Sequence, residues 1–293
     1  DEMETSELLK RVRKIEIKTR GLSNQIFSGE YHSAFKGRGM AFSEVREYMP
    51  GDPIRSIDWN VTARLNHPYV KVFEEEREIT MMLIVDFSAS ENFGSKSMLK
   101  REMITEVAAV LAFSAVQNND KIGVILFSDK IEKYIPPKKG KSHILRIIRE
   151  LIDFEPTGTG TNIKEALGFF NNVTKKRSIA FLISDMLDSD YEKPLRIAKR
   201  KHDFVTLLTK DIAEETLPDL GLIPMKDFES GKTFWVDTSD KEVRANYKRN
   251  RDKKLQETEN LLRKSGIDYT YLYTNRSYVQ PLMQLFKKRE SKR

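Results

Sequence analysis

The sequence predicts an α/β fold, an open and mostly parallel sheet with helices on both faces, preceded by a small lobe of helix and strands. Three observations predict it. First, apolar runs of strand length, ITMMLIVDF (79–87), KIGVILFSD (121–129), RSIAFLISD (177–185) and HDFVTLLTKD (202–211), recur through the chain. Near-continuous apolar character is the mark of strands buried on both faces. Second, the segments between these runs repeat their apolar residues at helical spacing. Third, the runs end in polar residues, and open α/β sheets bind ligands at the C-terminal ends of their strands.

The elements follow in order. Residues 3–20 read as an amphipathic helix, with Leu8, Leu9, Val12 and Ile15 on one stripe. Residues 28–55 are rich in Gly, Pro and charge, which predicts a loop. IDWNVTAR (57–64) and YVKVFEEER (69–77) read as two strands joined at Asn66-His67-Pro68. These assignments make 1–77 an N-terminal lobe and 78–293 a second domain. Beyond the strand at 79–87, a helix over 100–117 contains VAAVLAFSAV. Strand 121–129 follows, and IEKYIPP is expected at a sheet edge because two prolines end it. Helices are expected over 142–154, 161–174, 241–265 and 279–288, and strands also at 232–238 and 267–275.

Composition narrows the function classes. The 293 residues are 39% hydrophobic and 32% charged, with no cysteine. Disulfide frameworks, zinc ribbons and thiol catalysis are therefore excluded. No apolar run approaches the roughly 18 residues of a membrane helix. The N-terminal segment has no apolar core and is not a signal peptide, so a cytoplasmic location is expected. The net charge of +7 is uneven: residues 241–293 hold 15 Lys/Arg against 6 Asp/Glu. That region is either a solvated helix face with a basic tail, or a docking surface for an acidic partner or a membrane face. No basic stripe with interleaved aromatics appears, so nucleic acid is not expected.

The chemistry concentrates where the strands end. Asp86, Ser88 and Ser90 alternate along an extended segment, so their side chains can converge. Thr161 lies in TGTGTN, and Asp185 closes another strand. Two carboxylates and three hydroxyls form an all-oxygen set, suited to a hard cation such as Mg²⁺ or Mn²⁺. Thr159 is a near alternative to Thr161, which immediately precedes the apolar helix. So little negative charge favours capture of a partner's carboxylate over generation of hydroxide. The competing reading is that Asp and Ser merely serve as turn and cap residues.

These three segments resemble the metal-ion-dependent adhesion site of von Willebrand factor A domains, themselves Rossmann-like sheets. The resemblance implies Ser88 and Ser90 as direct ligands, Thr161 as direct or water-bridged, and Asp86 and Asp185 acting mostly through water. A partner's acidic side chain would complete the shell. The segment GRGMAFSEVREYMPGDPIRSIDWNVTARLNHPYVKVFEEERE (37–78) resembles the signature of the bacterial domain-of-unknown-function 58 family. That resemblance implies a partnership with a MoxR-type AAA+ ATPase. Many family members carry two N-terminal membrane helices, which this sequence does not show.

The signature residues Arg46, Asp52, Arg55, Asp58, Trp59 and Arg64 suit either a buried ion-pair network or a second binding surface. Trp59 and Trp235 are expected to pack, and the four histidines show no ligand spacing. The functional expectation is a non-catalytic, Mg²⁺-dependent protein-interaction module, partner of a MoxR-type ATPase in assembly, remodelling or stress response. The alternative is a phosphatase-like hydrolase with Asp86 as nucleophile. It is disfavoured because Ser88 stands where such enzymes place a second Asp. No phosphate-cradling G-x-x-x-x-G-K-[ST] is present either.

Overall fold

The structure, a computed structural model, describes residues 2–27, 40–75, 79–88, 95–226 and 232–291. The chain divides into two compact units, one of Lys36–Ile79 and one of Asp1–Phe35 with Thr80–Arg293. The expected lobe of 1–77 therefore divides differently, because its helix belongs to the larger unit.

In the small unit, β1 (Met40–Glu47) pairs antiparallel with β2 (Tyr69–Glu75), with a bulge between Phe42 and Glu44. β1 lies in the stretch expected to be loop; the bulge interrupts the alternation by which a strand is read. Between the strands come a 3-10 turn (Ile54–Ser56) and helix α2 (Trp59–Leu65). The strand expected at 57–64 is thus a turn and a helix. Asp58 decides this: its Oδ1 accepts from the Asn60 and Val61 N–H groups, at 3.0 and 3.2 Å. That satisfies two donors that a helix start leaves open. Asn66, at φ 57°, closes the helix in the left-handed region.

The signature charges do local work near solvent. Arg46 forks onto Asp52 at 2.7 and 2.8 Å, and Asp52 also accepts from the Met49 N–H. The Arg46 hydrogen bonds, then the Met49 N–H, pull the Asp52 carboxyl down to about 2. The pair braces the Met49–Asp52 turn, where Gly51 sits at φ 108°. It is not buried: the Arg46 side chain is 42% exposed. Arg55 and Arg64 are exposed, and so is Trp59, at 65%. Trp59 is therefore no packing residue.

The larger unit is built on a six-stranded sheet. Its strands are β3 (Thr80–Asp86), β4 (Lys121–Phe127), β5 (Ile131–Lys138), β6 (Ile179–Ser184), β7 (Asp203–Lys210) and β10 (Asp268–Tyr273). The order is β10-β7-β6-β3-β4-β5, parallel throughout except for antiparallel β5 at the edge. β5 carries Pro136 and Pro137, which an edge strand tolerates. At Gly123 a Cβ would come within 2.8 Å of Met82 Sδ and 3.0 Å of Ile135 O. The bulged edge strand is thus allowed to lie close over β4.

Alternation along the strands makes two cores. On one face Met82, Ile84, Ile125, Phe127 and Leu182 pack with α5 (Ile163–Val173), α6 (Glu192–Lys201) and Leu262 of α8 (Lys241–Lys264). The other face carries Met81, Leu83 and Val85, all fully buried. The helices α1 (Glu2–Phe27), α3 (Ser95–Gln117), α4 (Lys141–Asp153) and α9 (Val279–Ser291) pack together as one group. Phe286 of α9 reaches Phe181 of the sheet, with ring centroids 6.2 Å apart. VAAVLAFSAV of α3 is apolar all round because it is buried all round. The α1 stripe continues past Val12 through Thr19, Ser23 and Ile26, all buried, whereas Leu9 is exposed. Thr19 and Ser23 are polar, so hydropathy alone does not show that the helix runs on to Phe27. Lys18 reaches Glu106 of α3 at 2.8 Å.

The strand expected at 232–238 forms as β9 (Thr233–Asp237). It pairs only with β8 (Leu222–Lys226), in a ribbon separate from the main sheet. Trp235 on it is 67% exposed, again contrary to the packing expected of it. Among the described residues no helix is long and apolar enough to cross a membrane.

Candidate functional site

β3 and β6 run in register through the pair Val85–Ile183, so the next pair is Asp86 and Ser184. Asp86 also lies beside Phe127 at the end of β4. Its side chain follows the parity of Met82 and Ile84 and points to the same face. The strand register alone thus brings Asp86, Ser184 and the β4 terminus together at one sheet edge.

Asp86 is almost fully buried, and both its oxygens accept hydrogen bonds. Oδ1 accepts from the Ser88 N–H at 2.9 Å and the Ser88 hydroxyl at 2.6 Å. Oδ2 accepts from the Ser184 hydroxyl at 2.6 Å. Ser184 Oγ in turn accepts from the Met186 N–H, turning the chain after β6. Burial, and then the charge of nearby Asp185, push the Asp86 carboxyl up to about 6, against these bonds.

Asp185 belongs to a second set of contacts. Its Oδ1 accepts from the Leu187 N–H at 3.0 Å, and its Oδ2 lies 3.2 Å from Lys100 Nζ. Lys100, on α3, also reaches Glu214 Oε2 at 3.3 Å. Glu214 lies in the short helix α7 (Ile212–Glu215) after β7, and Arg251 of α8 reaches the same carboxylate at 3.4 Å. Burial would raise Asp185, but Lys100 and the Leu187 N–H outweigh it and hold its carboxyl below the ordinary range. Burial likewise opposes the Lys100 charge, yet Asp185 and Glu214 lift its ammonium above the usual lysine value.

The loop that carries Thr161 is fastened at three places. Glu132 accepts from the Thr157 and Gly158 N–H groups at 3.0 and 2.7 Å, and from the Ser128 hydroxyl at 2.7 Å. The Asn162 N–H donates to Ser128 O, just past β4, at 2.8 Å. The Ile163 N–H donates to Asp188 Oδ2, just past Asp185, at 2.7 Å. A Cβ on Gly158 would fall 1.8 Å from Asp129 Oδ1 and 2.2 Å from Ser128 Oγ, so any larger residue there must displace those side chains. Thr161 is thereby held between the ends of β4 and β6. It is half-buried, while Thr159 is exposed.

Of the expected ligands, Asp86 and Ser88 are in direct contact. Asp185 interacts electrostatically with Asp86, and the fastenings just described bring Thr161 to the same edge. Ser90 lies outside the described residues. Among the described residues no group of three or more His, Cys, Asp or Glu side chains is arranged to hold a metal. The set mixes two carboxylates with hydroxyls instead, the hard oxygen donors that Mg²⁺ accepts together with water. Sequence reasoning missed Ser184, Lys100, Glu214, Glu132 and Asp188. Ser184 was legible, since it precedes Asp185 in I-S-D and shares parity with Leu182. Lys100 and Glu214 meet only through the tertiary fold and carry no local signal. Of the four histidines, His32 lies outside the described residues, His143 and His202 are buried and hydrogen-bonded, and His67 is exposed.

Fold and site together define an open-sheet α/β protein with an acidic, hydroxyl-lined edge. A family model described as "Protein of unknown function DUF58" matches residues 44–257, and the chain belongs to that family. Rv1480 of Mycobacterium tuberculosis is 25% identical over 293 residues, spanning 98% of this chain and 92% of its own. YeaD of Bacillus subtilis is 28% identical over 109 residues, 37% of this chain and 25% of its own. Both are described as uncharacterized proteins. Among solved structures, the conserved hypothetical protein BatB from Bacteroides thetaiotaomicron is similar over 73% of this chain and 99% of its own. Its identity is 14% and its TM-score 0.43. Proximal thread matrix protein 1 from the mussel byssus, with a zinc-occupied MIDAS motif, is similar over 45% of this chain and 38% of its own. Its identity is 17% and its TM-score 0.36.

Proposed function

We propose that the chain is a non-catalytic, Mg²⁺-dependent protein-interaction module with a von Willebrand factor A-like site. The observation that carries this reading is the pair Asp86 and Asp185. Asp86 is almost fully buried, and the charge of the partly exposed Asp185 beside it opposes its ionisation, a cost that a cation at the site would relieve. Ser88 and Thr161 add neutral oxygens, so with the carboxylates acting mostly through water the ion's direct ligands leave it electron-poor. Such an ion attracts an acidic side chain from another protein, with Ser88, Ser90 and Thr161 holding it and Asp86 and Asp185 supporting it. Mn²⁺ would serve equally.

Asp86 makes a poor nucleophile, since both its oxygens are already hydrogen-bonded. This favours binding over the phosphatase-like alternative. The partner that the family resemblance implies is a MoxR-type AAA+ ATPase in the cytoplasm, which would remodel a client held by this chain. The basic face of α8 is a further contact surface for an acidic partner or an anionic membrane. The test is a pull-down from native lysate in Mg²⁺ and in EDTA, with the wild type and Asp86→Ala/Ser88→Ala. An AAA+ ATPase retained only by the wild type in Mg²⁺ is expected. Equal retention under all conditions would remove the metal from the interface.

A further inference from the structure

We infer that Lys100 is a built-in rival for the cation at Asp185, and that it holds down the affinity of the site for divalent ions. This rests on the metal reading above and adds to it a residue that sets affinity. The Lys100 ammonium lies 3.2 Å from Asp185 Oδ2 and 3.3 Å from Glu214 Oε2. Its side chain is only 13% exposed, and that of Glu214 only 6%. An ion that uses Asp185 Oδ2, directly or through a bound water, competes there with Lys100.

The second partner makes the exchange feasible. A buried ammonium that lost its sole counter-ion would be strongly destabilised. Lys100 can release Asp185 and still hold Glu214, which Arg251 also steadies at 3.4 Å. The exchange favours higher charge. A monovalent ion replaces one positive charge by another and gains nothing electrostatically. A divalent ion brings a second charge to a site where Asp86 and Asp185 both lie, and it can win. Lys100 thereby lowers the affinity for every cation, divalent ones included.

The charges predict opposite effects for two neutralising substitutions. Lys100→Met removes the rival and should tighten Mn²⁺ binding by about tenfold. Glu214→Gln removes the fallback partner, ties Lys100 to Asp185 alone, and should weaken Mn²⁺ binding by a similar factor. A purely structural role for the cluster would move both variants in the same direction, or neither.

The experiment is Mn²⁺ titration of the full chain, followed by electron paramagnetic resonance, in the wild type, K100M, E214Q and D86A, with near-UV circular dichroism to verify folding. Asp86-dependent binding that tightens in K100M and weakens in E214Q is the expected result. Asp86-dependent binding seen only in K100M supports the inference still more strongly. Asp86-dependent binding in the wild type, unmoved or moved the same way by both substitutions, overturns the role of Lys100 and leaves the metal site standing. No Asp86-dependent binding in either the wild type or K100M overturns both. Should K100M fail to fold, the sign of the E214Q change decides alone.

Discussion

The Ser184 hydroxyl donates to Asp86 Oδ2 at 2.6 Å across two neighbouring parallel strands, inside the sheet rather than in a loop. The bond takes one carboxylate oxygen out of play and aims the other toward Ser88. Ser184→Ala should leave Asp86 buried with an unmet acceptor and destabilise the chain by roughly 1–3 kcal/mol. Urea unfolding of metal-free protein measures this. Ser184→Thr, which keeps the hydroxyl, should recover part of the loss.

Glu132 contributes no atom to the candidate ligand set, yet it fastens the loop that does. Glu132→Ala should free the Thr157 and Gly158 amides, which its carboxylate now accepts. Hydrogen exchange at those two amides should accelerate, while exchange in the sheet stays unchanged. Mn²⁺ affinity should fall although every expected ligand remains. Unchanged exchange at 157 and 158 would show that the loop is held by other means.

Much of this was legible in the sequence, for definite reasons. The central strands are buried on both faces and read as unbroken apolar runs, so β3, β4, β6 and β7 are legible in the sequence. Asp86 and Asp185 were found because they end those runs. Other features depend on non-local or backbone-level causes. The segment 57–64 has strand-like composition, and only the Asp58 cap and the Asn66 terminus make it helical. α6 went unread because only Leu195 and Ala198 on it are buried, amid Lys and Arg. Lys100 and Glu214 are 114 positions apart and meet through the packing of α3 against the strand ends.

Arg289 of α9 binds Asp203 and Asp268, at the starts of β7 and β10. Its side chain is only 7% exposed. Loss of the guanidinium removes the positive charge that both carboxylates share at the base of the sheet. Arg289→Ala should cost about 3–5 kcal/mol, because it breaks a buried pair from one side. Arg289→Lys should recover little, since one ammonium cannot fork onto two strands. The melting temperatures of the two variants verify this, and Mn²⁺ binding should be unaffected in whatever remains folded.

His202 gives the fold a pH dependence that does not involve the site. Its Nδ1 accepts from the Ser178 N–H at 3.0 Å, which requires that nitrogen to be unprotonated. Burial, then the charges of Lys201 and Arg177, push its pKa from 6.5 down to about 4. In the unfolded chain the ring takes its proton near 6.5, so the unfolded state gains protons first as pH falls. The contribution is fully present above pH 6.5 and is lost progressively toward pH 4. It should amount to on the order of 2 kcal/mol after allowance for solvent screening. His202→Gln should flatten that part of the stability–pH curve, and an unaltered curve would assign the acid sensitivity elsewhere.

The two tryptophans offer a direct reading of the surface. Trp59 and Trp235 are 65% and 67% exposed, one in each compact unit. The chain contains no other tryptophan. Native fluorescence should therefore peak near the wavelength of free tryptophan and be strongly quenched by iodide, and unfolding should shift it little. Trp59→Ala and Trp235→Ala should each change stability by less than about 0.5 kcal/mol, as surface substitutions do. A blue-shifted native spectrum that iodide fails to quench would mean that a second copy of the chain or another partner covers these rings in solution. Repeating the measurement across a dilution series separates those two cases, since only self-association is lost on dilution of the purified chain.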